Sequence, residues 1–113
     1  MEKIASKVKT LRDEMYNNCI VGIKGFMKER GKQKNHFIET LSFDISDLEV
    51  EIDGQGTIDE ITYIPSKDEL GFVIYKYDSP SEVFMSREFK RGDVDLVYRI
   101  FNILYSFYNT VIK

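Results

Sequence analysis

The chain has no tryptophan, one histidine, one cysteine and two prolines among its 113 residues. A single cysteine, Cys19, excludes an intramolecular disulfide and with it the stapled scaffolds of small secreted domains, so a reducing, cytoplasmic setting is expected. A single histidine, His36, has no neighbouring cysteine or histidine to complete a zinc site. The opening MEKIASKVKT lacks the apolar stretch of a secretory leader. A bilayer span needs about 20 mostly apolar residues. The final segment comes nearest, but Asp95, Arg99, Asn102 and Asn109 interrupt it, and no membrane partner is expected. There is no internal repeat, low-complexity tract or linker.

What is present is an ordinary globular balance. Hydrophobic residues make up 42% and charged residues 31%, with eight Phe and seven Tyr to supply large buried surfaces. A core of normal size is within reach without metal or disulfide, and one soluble domain over residues 1–113 is expected. The net charge of −3 conceals an asymmetry. Residues 1–35 carry nine basic and four acidic side chains, residues 36–82 carry two and twelve, and residues 83–113 carry five and three. The acidic middle would repel phosphates, which argues against nucleic acid docking there.

Ile4, Val8, Leu11, Met15 and Cys19 recur at helical spacing, and the pattern continues through Ile23 and Met27 to Gly31. This predicts one helix over about 3–29, although Gly22 and Gly25 weaken its middle by about 1 kcal/mol each. A competing reading ends the helix near Asn18 and makes 19–27 a strand. GKQKN at 31–35 reads as a polar loop. The period then changes to two. Strands are expected over about 36–45, 48–53, 57–64, 70–77 and 82–86, joined by turns at Asp53-Gly54-Gln55-Gly56, Pro65-Ser66-Lys67-Asp68 and Asp78-Ser79-Pro80-Ser81. Leu48, Val50 and Ile52 alternate with Glu49, Glu51 and Asp53 as a half-exposed strand would. A final helix over about 93–112 shows a narrow polar stripe at Asp95, Arg99, Asn102, Ser106 and Asn109, with Asp93 as its N-cap. The predicted class is α+β: a long N-terminal helix, an antiparallel β-meander of four to five strands, and a long C-terminal helix packed on the sheet.

Several motif-like segments have simpler explanations. Glu51 to Asp59 matches part of an EF-hand calcium loop, but Thr62 stands where the bidentate glutamate belongs and the flanks read as strands. Gly22-Ile23-Lys24-Gly25 has the GxxG spacing of a KH loop, yet a helical pattern runs through it; small residues that admit another element closely explain it equally well. Cys19 lies on an apolar stripe, as core cysteines do, and nothing beyond residue type links it to His36. The acids Glu49, Glu51, Asp53, Asp59 and Glu60 suit a solvated, aggregation-resistant face better than acid–base catalysis. No catalytic residue, metal site or cofactor is implied.

The segments IASKVKTLRDEMYNNC and FMKERGK, followed by a meander and an aromatic-rich last helix, resemble small α+β proteins of gut anaerobic bacteria and their mobile elements. The resemblance implies a cytoplasmic bacterial or phage-borne protein of α–meander–α architecture, and no activity. The last helix carries more apolar surface than one sheet face requires. The reading that follows is a non-enzymatic protein-interaction module, acting as a homodimer or on a protein partner, with Tyr98, Phe101, Tyr105, Phe107 and Tyr108 as its interface. The alternative is a nucleic-acid-associated regulator whose contacts are Lys24, Lys28, Arg30, Lys32 and Lys34. A third is a small-ligand binder or enzyme whose residues converge only in three dimensions.

Overall fold

The computed structural model of the chain describes residues 2–35, 39–52, 54–79 and 82–106. Helix α1 runs unbroken from Glu2 to Arg30, so the helical period, and not the strand alternative for 19–27, governs the segment past Asn18. Lys28 and Arg30 sit in its last turn, where cations favour the negative end of the helix dipole. The chain divides into two units, one of residues 1–23 with 90–113 and one of residues 24–89.

In the first unit, α1 meets helix α2, Val94–Leu104. Val94, Val97, Ile100 and Leu104 are its buried face, while Asp95, Arg99, Asn102 and Ser106 are all exposed, as the polar stripe predicts. The helix is shorter than expected: it covers 11 residues, and positions 107–112 of the expectation lie outside the described residues. Asp93 stands at the N-cap position of α2, as expected, but its side chain bonds elsewhere. Its carboxylate accepts the Lys90 N–H at 2.8 Å and closes the 3-10 turn Arg91–Asp93, and it makes no side-chain cap on α2 itself. Gly22 fixes where the helices touch. A Cβ there would lie 2.2 Å from Cε2 of Phe101, and the Tyr105 hydroxyl donates to the Gly22 carbonyl at 3.0 Å. Near the other end of the contact, Arg12 pairs with Asp95 at 3.5 Å and Asp13 with Arg91 at 3.6 Å. Residues 12–13 thus face 91–95 and residue 22 faces 101–105, so α2 runs in the same direction as α1.

The second unit is a five-stranded antiparallel sheet in the order β1-β2-β5-β6-β7. Its strands are β1 Lys32–Asn35, β2 Thr40–Asp44, β5 Glu60–Ile64, β6 Glu69–Tyr75 and β7 Val83–Glu88, and a separate hairpin of β3 Glu51–Ile52 and β4 Gly56–Thr57 is inserted between β2 and β5. Together with the two helices this makes the α+β fold that the periodicities predict. The register pairs Ile61 with Phe72 and Tyr63 with Leu70, and all four are buried on one face. The end of α1 covers that face: the Phe26 ring meets Phe43 edge-on at 5.0 Å, and Lys28 lies 5.9 Å from the centre of the Tyr63 ring.

Three strand expectations change. In GKQKN, residues Lys32–Asn35 form an edge strand, not a loop; a lysine-rich edge with an irregular register needs no apolar residue and resists pairing with other chains. Residues 36–38, the start of the strand expected at 36–45, lie outside the described residues. Within the strand expected at 48–53, the described residues 48–52 are not one strand. The Asp44 carboxylate accepts the Ser46 N–H at 2.8 Å and the Ser46 hydroxyl at 2.7 Å, ending β2 and opening a 3-10 turn over Ser46–Leu48. Glu49 then takes a left-handed conformation at φ 50°. Val50 is still buried and Glu49 and Glu51 still exposed, so the inward–outward alternation survives without an extended backbone. The strand expected at 57–64 breaks at Asp59, which ties three segments together. Its N–H donates to Val73 and its carbonyl accepts Ile45 N–H, while its carboxylate accepts the Tyr75 N–H at 2.7 Å.

Two stability measurements follow. Gly22→Ala places a methyl group inside the Phe101 ring position and is expected to destabilise by about 1–3 kcal/mol, whereas Gly25→Ala meets nothing within 4 Å and is expected to stabilise by up to about 1 kcal/mol through helix propensity. Urea unfolding of the two variants, which carry the same chemical change, checks the opposite signs. Asp59→Ala leaves the part-buried Tyr75 N–H without its acceptor and is expected to lower the unfolding free energy by about 1–3 kcal/mol; Asp59→Asn keeps an acceptor oxygen and is expected to lose less in the same assay.

Candidate interaction surface

The aromatic set proposed on the last helix is divided by the structure. Tyr98 is exposed at 45%. Phe101 is half-buried, its ring seated over Gly22 and packed in a tilted arrangement, 4.6 Å between ring centres, on Tyr105, whose hydroxyl is bonded to α1. Phe107 and Tyr108 lie outside the described residues. Two of the three described members are therefore engaged within the first unit, and only Tyr98 remains presented to solvent.

The larger apolar exposure is on α1. Cys19, Ile23 and Met27 are buried, yet along the same stripe Met15 is half-buried and Val8 and Leu11 are exposed at 52% and 63%. The reason is the register fixed at Gly22: α2 begins opposite Arg12 and Asp13, so the turns of α1 before them extend past its start. There, Val8, Lys9, Arg12 and Asp13 form an open groove with Arg91, Gly92 and Val94, about 470 Å³ in volume. Around Val8 and Leu11 the helix surface is charged and exposed, with Lys7, Lys9 and Glu14. In the second unit, Tyr77, Val83 and Phe84 are exposed near the β6–β7 connection. An open cavity of about 690 Å³ there is lined by Tyr75, Tyr77, Phe84 and Asp59 among others. Its most buried carboxylate, Asp59, already holds the Tyr75 N–H, and Phe84 is the extra residue of a β-bulge opposite Ile74 and Tyr75, a feature that twists an edge away from strand addition.

Two of the five basic residues are ion-paired to acids of the same unit. Lys24 pairs with Asp68 at 2.9 Å, and the Tyr63 hydroxyl donates to the same carboxylate oxygen. Lys34 bonds Glu60 at 2.7 Å and the Tyr75 hydroxyl at 2.9 Å. Lys28 and Arg30 rest over the rings of Tyr63 and Phe26, at 5.9 and 5.4 Å, and Lys32 is exposed on the edge strand. Acids of the central segment thus neutralise part of the basic cluster inside this unit.

The chemical candidates are also placed. Cys19 is buried, and burial raises its thiol above the usual range, away from the thiolate a nucleophile needs. His36 lies outside the described residues. In the segment that partly matches a calcium loop, β3 pairs with β4 as a hairpin, and among the described residues no group of three His, Cys, Asp or Glu side chains is arranged to hold a metal. The GxxG segment lies inside α1, where Gly22 serves close packing. Of the other acids, Glu49 and Glu51 are exposed, Glu60 is bound to Lys34, and Asp53 lies outside the described residues. No helix among the described residues is long and apolar enough to cross a membrane.

Sequence reasoning missed the exposure of Val8 and Leu11 because residue type and spacing are the same for a stripe that is covered and one that is not.

Two carboxylates give this unit a pH dependence. Hydrogen bonds from Lys24 and then Tyr63 hold Asp68 below its ordinary 3.8, and bonds from the Ser46 hydroxyl and amide hold Asp44 below the same value. A depressed folded-state pKa contributes stability that is present above the unfolded value and is lost as pH falls through the folded one. The urea midpoint is therefore expected to fall on acidification below about pH 4, and to fall less in an Asp44→Asn, Asp68→Asn variant.

Comparison with protein-family models, with curated proteins and with solved structures finds no match to the chain.

Proposed function

We propose that the chain is a protein-interaction module that docks an apolar surface of its partner on the first turns of α1. One observation carries this reading: Val8 and Leu11 are exposed on the same stripe whose later members, Cys19 and Ile23, are buried. A helix stripe normally covers one continuous apolar strip against one neighbour, and here, among the described residues, α2 starts opposite residues 12–13 and leaves an open groove beside Val8. Covering the exposed halves of these two side chains contributes about 1–2 kcal/mol each, a useful core for a contact whose charged rim sets specificity.

The experiment is site-specific photo-cross-linking of the full chain in its host cells. A photoreactive residue at Leu11 is expected to give a protein adduct, and the same residue at Gln55, exposed in the other unit, is expected to give none. Leu11→Glu is expected to abolish the adduct formed from position 8 while leaving the helical circular dichroism signal and the thermal midpoint unchanged. Absence of an adduct from positions 8 and 11, or equal labelling from Gln55, overturns the proposal.

A further inference from the structure

We infer that the partner seated on α1 is a second copy of this chain, its α1 antiparallel to the first. This deepens the interaction-module reading and rests on it. The argument is one of position and charge. Written as a heptad, the exposed stripe places Val8 and Met15 at position a and Leu11 at position d, with Lys7 and Glu14 at the two flanking g positions and Arg12 at e. Arg12 is held by Asp95 on α2, so the e side of the stripe faces the chain's own second helix. The g side, with Lys7 and Glu14, is exposed.

The g charges select an orientation. In an antiparallel pair, g residues lie beside g residues. When Val8 of one copy packs on Leu11 of the other, Lys7 of each lies beside Glu14 of its mate, and the two-fold axis makes this attraction twice. In a parallel pair, g faces e, and Lys7 would approach Arg12 of the second copy, a like-charge contact. Sliding the antiparallel pair by one heptad places Glu14 against Glu14. The surface is thus self-complementary in one orientation and one register, which is what an isologous two-fold contact requires. The apolar stripe is short, so the dimer is weak and concentration-dependent.

The test is sedimentation equilibrium of the full chain from low micromolar to submillimolar concentration, with circular dichroism to confirm that each variant is folded. Wild type is expected to dimerise reversibly and Leu11→Glu to remain monomeric. Lys7→Glu turns two attractive pairs repulsive and is expected to raise the dissociation constant about tenfold. The double variant Lys7→Glu, Glu14→Lys exchanges the charges and is expected to restore the wild-type constant to within about twofold. Tighter association of Lys7→Glu indicates the parallel arrangement and overturns the inference, as does a wild-type chain that stays monomeric throughout. In that last case an adduct with a different protein from position 11 in cells leaves the interaction-module reading standing, and absence of any adduct removes both.

Discussion

Helix α2 meets α1 where Gly22 has no side chain. The Phe101 ring occupies the space a Cβ would fill, and the Tyr105 hydroxyl bonds the carbonyl of the same residue. This contact sets the register of the two helices, since a side chain at position 22 would occupy the space of the Phe101 ring. With that position fixed, the start of α2 falls opposite Arg12 and Asp13, where two ion pairs hold it. Among the described residues, the turns of α1 before that point meet only the start of α2, across an open groove, and Val8 and Leu11 remain exposed. A helix-weakening residue in the middle of α1 thus accounts for the open apolar surface near its beginning.

The second unit is organised by side chains that finish the backbone's hydrogen bonding where strands end. Asp59 joins the segments around β2 and β6 and Asp44 closes β2 into a turn, while Asp68 fastens the β5–β6 turn to Lys24 and Tyr63. These aspartates belong to the acidic middle of the chain. Asp68 pairs with Lys24, and Glu60 of the same middle segment with Lys34, so the charge asymmetry of the sequence is partly an internal attraction. The lysines of β1 also occupy a sheet edge, where charge prevents strand addition by another molecule. That assigns to Lys32 and Lys34 a structural task beside any contact they make with a ligand.

The parts of the fold legible in the sequence were those written in periodic burial. The described members of the polar stripe, Asp95, Arg99, Asn102 and Ser106, are exposed, and α1 continues past Asn18 despite two glycines. Alternation told which side chains of residues 48–52 face inward, but not the backbone that carries them: a 3-10 turn and a left-handed Glu49 keep Val50 inside as a strand would have. The strand β1 was illegible because an edge strand of KQKN has no apolar face to announce it. For the surface, the aromatic residues of α2 drew attention by their size, yet Phe101 and Tyr105 pack on α1, and the smaller Val8 and Leu11 are the ones left outside.

The sequence by itself determined the two helices, the α+β class, the inward faces of α2 and of the central strands, and the separation of charge along the chain, because each follows from spacing between near neighbours. Only the tertiary structure decided which stretch of an apolar stripe is covered. That depends on where a second helix, distant in sequence, begins and ends against the first, and the helical period is the same on both sides of that limit. The exposed Val8 and Leu11, and the self-complementary charges of Lys7 and Glu14 beside them, acquire meaning as a surface only once Gly22 has fixed the position of α2.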